Sequence, residues 1–213
     1  MKSEHVTIAA PNLVTAVIEV KGNAPLVIHR FSQKAKNGML GKMEEGTQTK
    51  KGKAKHEAAD LDQVMEDGKY IAKEGWEGFN ASAIRNALIS ACRLVNFKMT
   101  IGKLSLFCVQ DGWDKIEPTV PLVRIYGKSR RLDSPARVAT GAFYITIRPC
   151  YDEWSAKVKI RFDADQFTLT DVANLLSRVG AQVGIGEGRP DSRENAGMGW
   201  GTFSVGTSKE VKE

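Results

Sequence analysis

The chain predicts an α+β fold with antiparallel pairing, and three observations predict it. Residues 80–95 and 169–179 carry apolar side chains at helical spacing, while the apolar segments around them are strand-length and rich in β-branched residues. Residues 154–161 alternate apolar and polar with strict period 2, as a half-buried strand does. A glycine-rich run, Val183-Gly184-Ile185-Gly186-Glu187-Gly188-Arg189-Pro190, follows the second helix and leads toward the apolar segment ending at Val205. A nucleotide-binding phosphate loop has the opposite order, leaving a strand and opening a helix whose N-terminus supplies aligned N–H groups.

In chain order, residues 13–20 form a first strand, Gly22-Asn23 turns the chain, and Pro25-Leu26-Val27-Ile28 resumes an extended run. Residues 32–75 are polar, lysine-rich and glycine-punctuated. They predict an insertion that is mobile in the free protein, with Met39, Leu40 and Met43 as one weak amphipathic turn. In the helix over 80–95, Ile84, Ala87, Leu88, Ala91 and Leu94 or Val95 fall at helical spacing, Arg85, Asn86 and Arg93 take other faces, and Asn80 or Ser82 is the candidate cap. Residues 104–109 and 121–126 read as strands.

Residues 143–161 predict a hairpin, with arms 143–148 and 154–161 joined by Pro149-Cys150-Tyr151-Asp152-Glu153. In the second arm Trp154, Ala156, Val158 and Ile160 belong to the core face, and Ser155, Lys157, Lys159 and Arg161 to the other. Thr168 then caps a helix with Asp171 in its first turn and Gly180 as its C′ residue. The tail 206–213 is polar and expected to fray. The order fits an elaborated β-α-β-β-α-β, ferredoxin-like domain rather than a doubly wound sheet.

Composition narrows the function classes. At 213 residues and 42% hydrophobic, the chain fits one globular domain with a large insertion. No apolar run is long enough to span a bilayer, and Met1-Lys2-Ser3-Glu4-His5 lacks a signal-peptide core, so a cytoplasmic protein away from membranes is expected. Cys92, Cys108 and Cys150 have no CxxC spacing, and His5, His29 and His56 are far apart, which argues against a disulfide framework or a metal site. No cofactor is expected.

A net charge of +6 points to an acidic partner such as nucleic acid. The distribution is more telling. Seven lysines lie between Lys34 and Lys55 (Lys34, Lys36, Lys42, Lys50, Lys51, Lys53, Lys55) against Glu44 and Glu45. A second cluster comprises Arg124, Lys128, Arg130, Arg131 and Arg137, opposed locally by Asp133. Either could neutralise phosphates; a solvated linker or surface is the alternative. Lys157, Lys159 and Arg161 form a cationic ladder, or an ordinary solvated sheet face. Trp76, Phe79 and Trp113 are candidates for base stacking, or for packing at the edge of the core. Arg189 and Arg193 in the glycine loop combine backbone N–H groups with guanidinium forks, suited to something anionic and extended.

Several of these features together resemble a known family. They are Leu26-Val27-Ile28-His29-Arg30-Phe31-Ser32 after strand one, the lysine-rich insertion, Ala83-Ile84-Arg85-Asn86-Ala87-Leu88 on the first helix, and the terminal helix, glycine loop and Gly-x-Gly-x-Phe strand. Over residues 6–205 the chain resembles the RAMP (repeat-associated mysterious protein) superfamily, especially the backbone subunit of CRISPR effector complexes, and in particular RAMP-like proteins encoded by bacteriophages. The resemblance implies a modified ferredoxin-like (RRM-like) palm with an antiparallel sheet, helices on one face and a basic, flexible, thumb-like insertion. It also implies polymerisation along single-stranded RNA held by its backbone. The chain departs from the ribonucleases of that superfamily in having no His/Tyr/Lys constellation around His29.

The function expected is non-enzymatic binding of single-stranded nucleic acid, RNA over DNA, with copies assembling side by side into a filament or ring. The residues expected to contact the strand are His29, Arg30, Lys34, Lys36, Lys42, Lys50, Lys51, Lys53, Arg85, Lys128, Arg130, Arg131, Gly184, Gly186, Gly188, Arg189 and Arg193. One alternative is a metal-independent endoribonuclease using His29. Another is a structural or decoy protein that joins a host CRISPR or phage assembly, in the host cytoplasm, without touching nucleic acid.

Overall fold

The structure is a computed structural model that describes residues 9–44, 60–137, 141, 143–192 and 197–211. It begins with strand β1 (Leu13–Gly22), the short β2 (Leu26–Val27), and helices α1 (Gln33–Glu44) and α2 (Leu61–Asp67). Strands β3 (Tyr70–Ile71) and β4 (Glu77–Asn80) lead to helix α3 (Ser82–Ala91), which tightens into a 3-10 turn over Cys92–Val95. Helix α4 (Met99–Ser105) runs directly into β5 (Leu106–Val109), then come β6 (Gly112–Trp113), β7 (Pro121–Arg124), β8 (Tyr126–Arg137) and β9 (Phe143–Asp163). Helix α5 (Leu169–Arg178) continues into a π-helical turn over Val179–Val183, and β10 (Phe203–Val211) is the last strand.

The fold is α+β with antiparallel sheets. Across its middle the larger sheet runs β10-β1-β9-β5, while β8 and β2 flank the first half of β9. A smaller sheet has the order β3-β4-β7-β6. One core sits between the inner face of the large sheet and the helices. Ile18, Val158, Ile160 and Phe162 meet Ile84 and Leu88 of α3 and Val172 and Leu176 of α5, all essentially buried. Each such large apolar side chain contributes about 1.5–3 kcal/mol on burial, which outweighs the weak intrinsic preference of any one element.

Period-2 alternation over 154–161 holds, with Trp154, Ala156, Val158 and Ile160 buried. The cap on α5 also holds: the Asp171 N–H donates to Thr168 Oγ1 (3.2 Å) and the Thr168 N–H to Asp171 Oδ2 (2.9 Å).

The hairpin expected over 143–161 is instead a single 21-residue strand. Residues 143–155 pair with β8 and residues 155–163 with β1. Pro149 is tolerated because its carbonyl accepts the Ile28 N–H (3.1 Å), so the side on which it lacks a donor is the short β2 edge. Gly180 does not end α5. It lies buried in the π-helical turn, where a Cβ would come 2.1 Å from the Phe203 carbonyl oxygen, and Gly184 (φ 70°) is the C-terminal residue with left-handed backbone. Residue 104 belongs to α4 rather than to the strand. The tail expected to fray from Gly206 pairs with β1 as far as Val211.

The described parts of the insertion over 32–75, residues 32–44 and 60–75, are more ordered than their composition implies. Its first part forms α1, in which Lys, Gln, Met and Leu favour the helix over the cost of Gly38 and Gly41, about 1 kcal/mol each. Met39, Leu40 and Met43 are exposed on that helix. Its last part is integrated into the fold: Met65, Lys69 and Ala72 are buried, and Lys69 Nζ is held by Glu66 (2.7 Å) and Glu77 (3.1 Å). Lys50, Lys51 and Lys53 lie outside the described residues.

Candidate functional site

A cleft of about 920 Å³ opens between α3, the glycine loop and the segment after β2. Helical spacing puts Asn86, Ile89, Ser90 and Arg93 on the α3 face that lines it, while Ile84, Leu88 and Ala91 turn into the core. Opposite stand Gly184, Ile185, Gly186, Glu187, Arg189 and Asp191, with Ile28, His29, Tyr70, Phe79 and Asn80 completing the wall.

The loop takes this shape because it is stitched to the chain around β2. The Glu187 N–H donates to the Val27 carbonyl (2.9 Å), the Ile185 N–H to the Gly201 carbonyl (3.0 Å), and the Gly201 N–H to the Pro25 carbonyl (2.7 Å). Ile185 is buried and anchors it from below. Gly186 has φ 79°, and a Cβ there would sit 2.5 Å from the Val27 carbonyl oxygen, so close approach and left-handed backbone both require glycine. The N–H groups of Gly186 and Arg189, two residues lining the cleft, make no hydrogen bond to another described residue.

Three guanidiniums gather at this end of the molecule. Arg189 Nη1 donates to the Gly186 carbonyl (3.1 Å), Arg93 Nη2 to Asp191 (2.8 Å), and Arg148 Nε to Glu187 (2.7 Å). The Ser90 hydroxyl also donates to Asp191, and this bond, reinforced by Arg93, holds that carboxyl below its ordinary range. Arg93 and Arg148 each hydrogen-bond a carboxylate, whereas Arg189 hydrogen-bonds a carbonyl and its charge, acting from further off, also helps to hold the Asp191 carboxyl low. His29 stands at the mouth. Enclosure of its ring, then the nearby Arg148, lower its pKa below the ordinary imidazole value against an opposing pull from Glu187. It is neutral at pH 7, a hydrogen-bonding group rather than a cation.

Of the residues expected to contact a strand, the structure brings His29, Gly184, Gly186 and Arg189 together in this cleft. Gly188 lies in the same loop, but its carbonyl is taken by the Met198 and Trp200 N–H groups (2.7 and 3.2 Å). Arg30 is a correction: it is 3% exposed and paired with the buried Asp114 at 3.0 Å, so it cannot reach a strand. Arg85 lies on the other flank of α3, donating to the Leu106 and Lys103 carbonyls (3.1 and 2.7 Å).

Lys36 is paired with Glu117, Arg130 with Asp152 (2.5 Å), and Arg131 with Asp62 (2.8 Å) and Asp133 (3.0 Å). Arg130 and Arg131 of the second basic cluster are thus answered within the fold, while Arg124 lies over the Trp76 and Tyr126 rings (6.0 and 5.1 Å). Lys42 is exposed in the last turn of α1, and Lys128 is exposed at the irregularity in β8. Lys34 belongs to α1 with its side chain outside the description, and Arg193 lies outside the described residues. Phe79 is a core residue, 3% exposed, whereas Trp113 is 40% exposed.

Sequence reasoning missed Asn80, Asn86, Arg93 and Arg148 as members of this site. A signal existed for two of them, since Asn86 and Arg93 are seven residues apart on the polar side of α3. Burial first, and Asp111 second, push the Cys108 thiol up to about 12, so it supplies no thiolate at neutral pH. Among the described residues no helix is long and apolar enough to cross a membrane, and no group of His, Cys, Asp and Glu could hold a metal ion. No family model and no curated protein matches the chain.

Proposed function

We propose that this chain binds single-stranded nucleic acid, RNA in preference to DNA, by its phosphate backbone at the cleft, with copies lying side by side along the strand. One observation carries the reading: Gly186, Arg189 and Arg93 line one opening, the Gly186 and Arg189 N–H groups make no hydrogen bond to another described residue, and the Arg189 guanidinium is bonded to a neutral carbonyl. Backbone N–H groups beside guanidinium forks suit phosphate oxygens. The amide of Asn86 in the same wall suits a ribose 2′-hydroxyl, which favours RNA, whereas the Asn80 oxygen already accepts the Ser82 N–H (2.9 Å). The sheet order β10-β1-β9-β5 with α3 and α5 on one face supports treating the domain as a ferredoxin-like (RRM-like) palm of the RAMP kind.

An incoming phosphate engages Arg189 first, because that side chain gives up a hydrogen bond to a carbonyl and no direct ion pair. Arg93 and Arg148 join as the phosphate displaces Asp191 and Glu187, which lowers the net gain from each. Arg189→Ala is expected to weaken binding by about 1–3 kcal/mol, equally for unrelated sequences, since phosphate contacts position a strand without reading it. Filter binding with several unrelated oligonucleotides checks this; a loss confined to one sequence contradicts backbone capture. Gel filtration before and after nuclease tests the side-by-side assembly, which should dissociate when the strand is removed.

Protonation of His29 adds a charge beside the bound phosphate. Its pKa in the free protein is held low, and a bound anion raises it, so affinity should increase as pH falls below about 6.5. The expected gain between pH 7.5 and 5.5 is a few-fold to about tenfold. His29→Ala should flatten the profile in an anisotropy titration; an unchanged profile removes His29 from the site. The rival reading as a ribonuclease also rests on His29, and RNA cleavage in chelator that His29→Ala abolishes would replace the binding reading.

A further inference from the structure

We infer a second phosphate-binding site at the free edge of the large sheet, where Arg85 and Arg161 converge on Phe107. A pocket of about 390 Å³ opens there, and its wall is made by these three residues with Cys108, Val109 and Gln110. Phe107 of β5 lies directly opposite Arg161 of β9 in the strand register, and the guanidinium carbon of Arg161 is 5.8 Å from the ring centroid. The guanidinium of Arg85 reaches the same ring from α3, at 5.2 Å. The site lies on the opposite flank of α3 from the cleft, and its ligand class does not depend on whether a strand enters that cleft.

The charges along this edge support the site. Along the outer face of β9, Lys157 is answered by Glu19 (3.5 Å) and Lys159 by Asp111 (3.0 Å). Asp163, two residues beyond Arg161, accepts the Asp165 N–H at 3.0 Å. Arg161 makes no ion pair with another described residue, and Arg85 is bound only by the neutral carbonyls of Leu106 and Lys103. Those two bonds fix the Arg85 fork without reducing its charge. Two unanswered guanidiniums held against one ring repel each other, and a dianion or diester phosphate between them removes that repulsion.

Each fork also retains donors that match phosphate oxygens. Among the described strands β5 pairs with β9 alone, so the pocket stays open along the other edge of β5. The ring flanked by cations gives the ligand an apolar wall and keeps the forks from collapsing onto a carboxylate of the fold. The ligand is therefore a phosphate group, carried either by a nucleic-acid strand or by a small phosphate compound.

The test is nuclear magnetic resonance of the Arg85 and Arg161 Nε–H signals in the full chain, assigned with Arg85→Lys and Arg161→Gln. The probes are inorganic phosphate, a uridine oligonucleotide and sodium chloride at matched ionic strength. Both signals should shift saturably with phosphate, and Arg161→Gln should weaken that binding about fivefold or more. Arg161 is exposed and among the described residues its side chain makes only the ring contact, so this variant should fold normally, as its spectrum will verify. Tighter response to the oligonucleotide identifies the strand as the source, and response to phosphate alone identifies a small phosphate compound.

Signals that move no further than with sodium chloride overturn the site. A parallel titration of Arg189→Ala keeps the two sites distinct. Strand binding lost in that variant while phosphate still shifts Arg161 supports both sites. Strand binding as tight in that variant as in the parent, with the strand causing no shift at Arg161, removes the cleft, and a phosphate shift of Arg161 still leaves this site standing.

Discussion

Arg30→Ala should lower folding stability by about 3–5 kcal/mol, the cost of leaving one member of a buried ion pair alone. Arg30 Nη2 donates to Asp114 Oδ2 at 3.0 Å, with the two side chains 3% and 1% exposed. The pair joins the chain after β2 to the small sheet: the Arg30 N–H donates to the Gly68 carbonyl (3.1 Å), Asp114 bridges to Ala72, and the Glu117 N–H donates to Asp114 Oδ2 (2.8 Å). Without Arg30, the Asp114 carboxylate stays buried with no cation, and Tyr70 loses the guanidinium 5.9 Å from its ring. Arg30 Nε and Asp114 Oδ1 find no hydrogen-bond partner among the described residues, so within them the pair is incompletely satisfied. Replacing both by apolar residues, as in Arg30→Met with Asp114→Leu, should therefore recover most of the loss. Urea unfolding of the three variants checks this. A single variant within about 1 kcal/mol of the parent would mean the pair is solvated.

Gly201→Ala is expected to disassemble the glycine loop and with it the binding site. Gly201 has φ 65°, where alanine costs about 1–2 kcal/mol for backbone conformation alone. The larger effect is steric: a Cβ at Gly201 would sit 1.8 Å from the Ile185 carbonyl oxygen, which belongs to the loop itself. Both backbone bonds of Gly201, to Ile185 and to Pro25, must stretch or break to relieve that contact. Gly199→Ala is the matched control, because Gly199 has φ 76° but nothing within 4 Å of its added Cβ. It should show the conformational cost and little else. Thermal melts and binding titrations of the two variants together separate strain from loss of the site. Equal effects would mean that close packing at Gly201 is unimportant.

What the sequence made legible was local. The alternation from Trp154 to Ile160 and the Thr168–Asp171 capping box depend on neighbours along the chain, and both appear as read. The continuous β9 was hidden because residues 149–153 have the composition of a turn, and only pairing with β8 and the Ile28 N–H keeps them extended. The small sheet was hidden for a different reason: its strands have two to four residues, too few to display a period. Arg30 looked like one more surface cation beside a basic insertion, and its partner lies 84 residues away. The glycine loop was recognisable from its composition and order. Its meeting with Asn86, Arg93 and Arg148 depended on long-range packing that no spacing announces.

The most direct measurement of the central claim is the salt dependence of binding to unrelated single strands by the intact chain. Backbone capture predicts that log K falls linearly with log salt, with a slope of about −0.7 per phosphate neutralised. The slope should be the same for RNA strands of different sequence and shallower by about 0.7 in Arg189→Ala. A flat dependence, or no binding at low ionic strength, would contradict the account.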